Sequence, residues 1–298
     1  MELISDLKKL KCGKVIVSPK MKNYTTYKVG GSVLALVYPI DVDNLINLIK
    51  FLRKHNIKYK VLGNGSNVIF KNISYDLVII KLDYFNDLTI TGKKVVVGAG
   101  YSLIALSLKV AKENLTGLEF AAGIPGTIGG AVFMNAGAYK SDMGYIVKEV
   151  KVLTPDLEIM TLTNKQMDFH YRTSFLKNNP NYICLEATIY LNKGKKEAIM
   201  EVINDRKRRR IESQPLDYPN AGSVFRNPTD HFAGKLIEDL GYKGKKIGGA
   251  MVSTKHANFI INYNKASGED IISLINDIKN KVKKEYGIEL KIEQEIVE

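Results

Sequence analysis

The chain has no tryptophan, two cysteines and four histidines in 298 residues. Cys12 and Cys184 form no CxxC pair, which excludes a disulfide-stapled scaffold and leaves free thiols as the expectation. His55, His170, His231 and His256 share no metal-ligand spacing with each other or with the cysteines, so no metal site is expected. The first fifteen residues, MELISDLKKLKCGKV, lack an apolar segment of signal-peptide length. From Phe120 to Tyr139 no residue is charged, but glycines, Pro125 and Asn135 interrupt the run and argue against a membrane span. These absences lead to an expected cytoplasmic location. No repeat of solenoid length is visible.

What is abundant is positive charge. Lys and Arg number 44 against 31 Asp and Glu, a formal charge of +13 that favours an anionic partner: nucleic acid, anionic lipid or a phosphorylated small molecule. Charge alone does not choose among them. With 45% hydrophobic and 25% charged residues the composition is that of a soluble globular protein, folded nearly throughout, and the length suits two or three domains.

Hydrophobic spacing predicts an N-terminal helix with Leu3, Ile4, Leu7 and Leu10 on one face, followed by the apolar Val15-Ile16-Val17 and Pro19. A strand over 33–38, ended by Pro39, leads to a helix that Asp41 can cap, with Val42, Leu45, Ile46, Ile49 and Leu52 on one face. A strand over 58–62 follows, which suggests a βαβ unit. Further strands are expected at 68–70, 77–80, 94–98, 149–153, 160–162 and 182–189, with a helix over 103–111. This mixed α+β region ends near residue 192, where composition shifts. A helix then carries Ile199, Val202 and Ile203, continued in phase by Arg206 and Arg210, which turns those two arginines toward the body. Helices are expected over 233–240, closed by Gly241, and over 269–286, closed by Gly287. Ile288, Leu290 and Ile292 then alternate with Glu289, Lys291 and Glu293 as a terminal strand, with Glu293 on its polar side.

Several stretches can carry chemistry. In GLEFAAGIPGTIGGAVFMNAGAY, residues 117–139, the glycines at 123, 126, 129 and 130 let another object approach bare N–H groups, so an anion is the natural guest and a tight core crossover the plainer alternative. Gly63-Asn64-Gly65-Ser66-Asn67 lacks the third glycine of a dinucleotide fingerprint and is no P-loop; it reads as a hairpin turn, or as a second anion nest. Arg172, between aromatics in HYRTSF, suits a surface ion pair or a fork for carboxylate or phosphate. Ser223 follows Gly222 in a loop of Pro, Asn and Gly; a turn serine is the ordinary reading, and the esterase pattern GxSxG is not matched.

In chain order, YKVGG at 27–31, LGNGSN at 62–67, GIPGTIGGAVFMNAGAY at 123–139, YRTSF at 171–175, NAGSVFRNP at 220–228, AGKLIEDLGYKG at 233–244 and STKHANFIIN at 253–262, with a glutamate near the end, form an ordered set. From near Tyr24 to its C-terminus the chain resembles the UDP-N-acetylenolpyruvoylglucosamine reductase family. The resemblance implies an α+β chain with an FAD-binding fold of the vanillyl-alcohol-oxidase type. Residues 1–22 would lead in, two α+β subdomains at about 23–75 and 76–192 would hold FAD, and a C-terminal α+β substrate domain would span 193–298. It implies reduction of UDP-N-acetylglucosamine enolpyruvate to UDP-N-acetylmuramate for cell-wall peptidoglycan, with NADPH as reductant and FAD held noncovalently, since neither glycine loop has a His or Cys to link it.

Carried over residue by residue, Gly63, Asn64, Gly65, Ser66, Asn67, Gly123, Ile124, Pro125, Gly126, Thr127, Gly129, Gly130 and Ala131 would embrace the cofactor. Arg172 and Glu293 would stabilise charge building on the substrate carboxylate, and Ser223 would protonate its α carbon. Tyr171, Arg210 and Asn227 would contact substrate. Arg226 stands where the family usually has Lys, and Gln294-Glu295 where it has Val-Arg, so the choice of Glu293 over Glu295 rests on spacing from Gly287 and strand phase. The short span from Tyr171 to Ser223 matches the subtype without the extra tyrosine loop. A monomer that binds neither nucleic acid nor membrane is expected. Rival readings are a flavin enzyme of the same fold oxidising an alcohol or sugar, and a nucleic-acid binder using Arg206-Lys207-Arg208-Arg209-Arg210.

Overall fold

Among the described residues the apolar faces bury in two large cores and a small cluster of Ala111, Ile199 and Ile203. A computed structural model describes residues 2–298. It groups the N-terminal residues through Val17, Leu34–Asn64 and Asp76–Arg208 into one unit, and Ser18–Val33, Gly65–Tyr75 and Arg209–Glu298 into another. The grouping is interleaved rather than linear: 18–33 and 65–75 go with the C-terminal part.

In the first unit the helix Glu2–Lys9 buries Leu7 and partly buries Ile4, with Leu10 just beyond its end; the Leu3 side chain lies outside the described residues. The helix Val42–Lys54 starts at Asp41, whose carboxylate accepts the Asn44 N–H at 2.8 Å. It buries Leu45, Leu48, Ile49 and Leu52. A four-stranded sheet runs in the order Gly13–Val17, Val33–Pro39, Tyr75–Ile80, Lys58–Val61. The chain thus returns through the helix to the same sheet, but Tyr75–Ile80 separates the two strands and runs parallel to Lys58–Val61. A five-stranded antiparallel sheet has the order Ile159–Thr163, Val147–Leu153, Ile183–Tyr190, Lys94–Gly98, Leu88–Thr91.

The uncharged stretch contains a helix, Ile128–Met134, an element not assigned there from sequence. Thr127 Oγ1 accepts the Gly130 N–H at 3.3 Å, and the missing side chain of Gly129 lets its N–H reach the Ala99 carbonyl at 2.8 Å. Asn135, left-handed at φ 43°, ends the helix. Farther on, the helix Lys196–Ser213 buries Ile199 and Ile203, but Val202 is 40% exposed and not on the buried face. Arg206 and Arg210 are half-buried while residues 207–209 are exposed, as the helical phase required.

In the second unit the helix Gly268–Tyr286 is fixed at both ends. Ser267 and Asp270 form a reciprocal capping box, and Gly287 closes it at φ 70°. Its buried face, Ile271, Leu274, Ile275, Ile278 and Val282, packs in a core with Ala250, Val252 and Ile260 from a three-stranded antiparallel sheet. The terminal strand is displaced from where alternation put it. Residues 288–292 are irregular apart from a single bridge, Phe225 to Ile292, and the strand is Glu295–Val297, parallel to Val68–Phe70. Val68–Phe70 therefore pairs with the C-terminus, which overturns the hairpin reading of 63–67. Among the described residues no helix is long and apolar enough to cross a membrane.

Candidate active site

Within the first unit the two glycine loops meet. A Cβ on Gly63 would lie 2.7 Å from Thr127 Oγ1, so only glycine fits without displacing the residue that caps Ile128–Met134. Beside this contact the surface is bare backbone: a Cβ on Gly126 would meet nothing within 4 Å, and one on Gly130 only Thr127 Oγ1 at 3.5 Å. Not every amide is available. The N–H groups of Ile124, Gly126, Gly129, Gly130 and Ala131 are engaged in turn, helix-cap or strand bonds, and Pro125 has none. Among the described residues, the N–H groups of Gly63, Asn64, Gly123 and Thr127 have no partner. Backbone donors without partners, with space before the glycines, suit the pyrophosphate of a dinucleotide.

Lys81, which sequence reasoning passed over, is 7% exposed and donates to the Gly63 carbonyl at 2.7 Å, with Asp83 at 3.2 Å. An ammonium on that carbonyl polarises the peptide and adds positive potential beside the free amides. The signal was a lysine directly after the buried run Val78-Ile79-Ile80. Lys81→Met is expected to weaken FAD binding by about tenfold or more, and Lys81→Arg to keep most of it, as read by fluorescence titration of the apoprotein with FAD.

The remainder of the first loop belongs to the second unit. Gly65, at φ +63°, could carry no side chain, since a Cβ would lie 2.3 Å from the Tyr24 carbonyl oxygen. Ser66 and Gly65 keep unpartnered N–H groups among the described residues. Asn67, expected on the cofactor, donates its side-chain N–H to the Glu293 carbonyl at 3.2 Å, and its own carbonyl accepts the Glu295 N–H at 2.9 Å. It anchors the C-terminal segment.

Arg172 sits at the tip of a two-residue turn closed by reciprocal backbone bonds between His170 and Thr173, both 3.1 Å. Its φ is +57°, in the left-handed region where Gly or Asn is the usual occupant, and such strain gathers at functional sites. Side-chain ties hold the turn in place, among them Lys177 Nζ to the Arg172 carbonyl at 3.2 Å. Arg172 Nη2 donates to the Gly137 carbonyl at 2.8 Å, Asn135 Nδ2 donates to the His170 carbonyl at 2.8 Å, and Ser174 Oγ donates to the Phe133 carbonyl at 2.8 Å. The guanidinium also lies over the Tyr171 ring at 5.2 Å, while that tyrosine is 52% exposed. The end of the small-residue stretch is thus the platform for the arginine.

Ser223 and Glu293 come together in the second unit, although seventy residues separate them. The Glu293 N–H donates to the Val224 carbonyl at 2.8 Å, and Arg226 N–H to the Lys291 carbonyl at 2.9 Å. On the other side, buried Asn258 grips Phe225 at both ends of its side-chain amide, 3.0 and 2.8 Å, and its carbonyl accepts the Val224 N–H at 2.9 Å. Asn258 was not foreseen; a lone Asn in the apolar run Ala257 to Ile261 was the available signal. Among the described residues the Ser223 hydroxyl makes no hydrogen bond. Ser223 is half-buried, with its main chain held and its hydroxyl uncommitted.

Of the remaining assignments, Asn227 Oδ1 accepts the Ala233 N–H at 3.1 Å and so starts the helix Ala233–Asp239 from an exposed position. Arg210 is half-buried in the second unit, and Arg206, in the first, lies over the Tyr139 ring at 4.8 Å. Among the described residues no three His, Cys, Asp or Glu side chains group as metal ligands.

His256 supports the Asn258 clamp: its Nδ1 accepts the Asn258 N–H at 3.2 Å. Burial, and then the nearby Lys243 charge, hold its pKa below the ordinary value of 6.5, with Glu238 opposing. The unfolded chain therefore takes up this proton first as pH falls. The His256 contribution to stability is complete above that ordinary value and is lost as pH drops through it toward the folded value. Urea titrations at about pH 7.5 and about pH 5.5 should show a larger acid loss for the wild type than for His256→Gln.

The chain matches two family models: "UDP-N-acetylenolpyruvoylglucosamine reductase, C-terminal domain" over residues 214–297, and "FAD binding domain" over residues 33–163. It is 44% identical over 296 residues to the UDP-N-acetylenolpyruvoylglucosamine reductase of Caldanaerobacter subterraneus, covering 99% of this chain and 98% of that one. The crystal structure of the reductase of the same name from Thermus caldophilus superposes with a TM-score of 0.81 at 32% identity, covering 96% of this chain and 98% of the other. The glucose dehydrogenase Phl p 4 shares the fold alone, at a TM-score of 0.50 and 15% identity over 65% of this chain and 44% of its own.

Proposed function

The chain belongs to the UDP-N-acetylenolpyruvoylglucosamine reductase family, and from that membership we propose that it reduces UDP-N-acetylglucosamine enolpyruvate to UDP-N-acetylmuramate, with NADPH as reductant. It is an FAD-dependent oxidoreductase with a flavin fold of the vanillyl-alcohol-oxidase type and a C-terminal domain characteristic of the family. The observation that carries the reading is likeness along nearly the whole chain at 44% identity. Oxidation of an alcohol or sugar is not favoured, because the likeness to a glucose dehydrogenase is one of fold over 65% of the chain. The enzyme works as a cytoplasmic monomer, supplying the cell-wall precursor that growth and division consume.

Bound FAD supplies a hydride acceptor toward NADPH and a hydride donor toward the β carbon of the enolpyruvyl group. The residues of the chain do the rest. The free amides of Gly63, Asn64, Gly123 and Thr127, with Lys81 behind the Gly63 carbonyl, would hold the FAD pyrophosphate. Tyr171, Arg210 and Asn227 bind the substrate.

An enol ether accepts hydride poorly unless charge can spread from the α carbon onto its carboxylate. Arg172 supplies a planar fork for that carboxylate. Its strained turn fixes the guanidinium beforehand, so little reorganisation is needed as charge builds. Glu293, whose N–H is bonded to the Val224 carbonyl beside Ser223, orients the site or donates a hydrogen bond in its protonated form. Ser223 Oγ–H then protonates the α carbon, and the serine regains its proton from solvent. A C–H bond forms at each carbon and the C=C bond is lost. NADPH, a proton and the enolpyruvate give NADP⁺ and the lactyl ether.

The experiment is anaerobic. Purified protein loaded with FAD is reduced with limiting NADPH and mixed with UDP-N-acetylglucosamine enolpyruvate. Prompt return of the oxidised flavin spectrum is expected. A flavin that remains reduced until air is admitted would overturn the substrate assignment in favour of an oxidase.

A further inference from the structure

Gln294 is 4% exposed and makes three hydrogen bonds in the second unit. Its Nε2 donates to the carbonyls of Ala221 at 3.0 Å and Gly222 at 3.1 Å, and its Oε1 accepts from the Tyr27 hydroxyl at 3.1 Å. The chemistry leaves one orientation of the amide. Two carbonyls can only accept, so the NH₂ group must face them, and the Tyr27 hydroxyl must donate to the remaining oxygen. Tyr27 is fully buried, and burial pushes its pKa up, so the phenol remains a donor throughout the working pH range. Its own carbonyl accepts from Asn262 Nδ2 at 2.9 Å, which fixes the base of the network.

We propose that Gln294 is a positioning residue for the Ser223 hydroxyl. This rests on the reading of Ser223 as proton donor. The two carbonyls it holds are those immediately before Ser223, and Gly222 between them is at φ +75°, where the chain has most freedom to swing. Holding both fixes the peptide that leads into Ser223 and so the direction of its Cα–Cβ bond. Asn258 and the Glu293 N–H fix Val224 and Phe225 on the other side. Since the Ser223 hydroxyl has no bond of its own among the described residues, its placement comes from these main-chain clamps. Gln294 also directly follows Glu293, so one dipeptide sets the position of both the acid and the carboxylate.

The test compares the two half-reactions in FAD-loaded enzyme by stopped flow for Gln294→Met, Ser223→Ala and the double variant. Gln294→Met keeps the side-chain length and removes all three bonds. It should slow flavin reoxidation by substrate about 10- to 100-fold, leave reduction by NADPH within about twofold, and raise the solvent isotope effect on reoxidation. In the Ser223→Ala background it should add no further loss. A loss that persists there, or that falls equally on both half-reactions, would make Gln294 a merely structural residue and overturn the proposal. If Gln294→Met does not hold FAD, Gln294→Glu decides. Its protonated acid can donate to one carbonyl and its carboxylate to none, so its reoxidation rate should fall with rising pH more steeply than that of the wild type; a parallel profile overturns the proposal. A Ser223→Ala enzyme with normal reoxidation refutes the proton-donor reading itself, whereas a slow Ser223→Ala beside a normal Gln294→Met refutes only the positioning role.

Discussion

Ser223→Ala should lower the rate at which substrate reoxidises the flavin by about 10²- to 10⁴-fold, with NADPH reducing the flavin at nearly the wild-type rate. The asymmetry follows from where the hydroxyl acts. Hydride transfer from NADPH to the flavin moves no proton onto the substrate's α carbon, so a group that only supplies that proton has no part in it. The fold should tolerate the change. The serine side chain makes no hydrogen bond among the described residues, and the segment that follows it is held through the main chain by Asn258 and Glu293. Stopped-flow traces of the two half-reactions, with a melting curve beside them, check all three parts. Equal loss in both half-reactions would move Ser223 from chemistry to flavin binding.

The parts of this site legible in the sequence are those with local causes. Asp41 caps its helix through the residue three positions on, and Gly287 ends one because only a positive φ fits there. The phase of Arg206 and Arg210 followed from helical spacing alone. Parts set by distant pairing were not legible. The alternation of Ile288, Leu290 and Ile292 looks like a strand, yet the strand lies at Glu295–Val297 because Val68–Phe70, more than two hundred residues earlier, offers its edge there. Ile128–Met134 contains two glycines and is assigned no element from sequence; Thr127 and the Ala99 contact make it a helix. The glycine loops were visible as bare backbone, but which amides stay free depends on partners such as Tyr101 and Ala99, and no local pattern announces them.

Arg172→Gly separates strain from function, and its two effects should have different sizes. Glycine accepts φ +57° without a Cβ clash, which relieves about 1 kcal/mol or more of backbone strain. Against this stand the lost bond to the Gly137 carbonyl, the lost stacking on Tyr171 and the larger chain entropy of glycine, together about as large. The stability change measured by urea should therefore stay within about 1 kcal/mol. Turnover should fall about 10²- to 10³-fold, because nothing else in the turn offers a positive fork to the carboxylate. Arg172→Lys sharpens the point: it keeps the charge and the strain but not the planar pair of donors. Recovery of less than about a tenth of the lost rate would mean that fork geometry, set by the strained turn, carries the effect. Near-complete recovery by lysine would mean that a point charge suffices and that the left-handed turn serves the fold rather than the reaction.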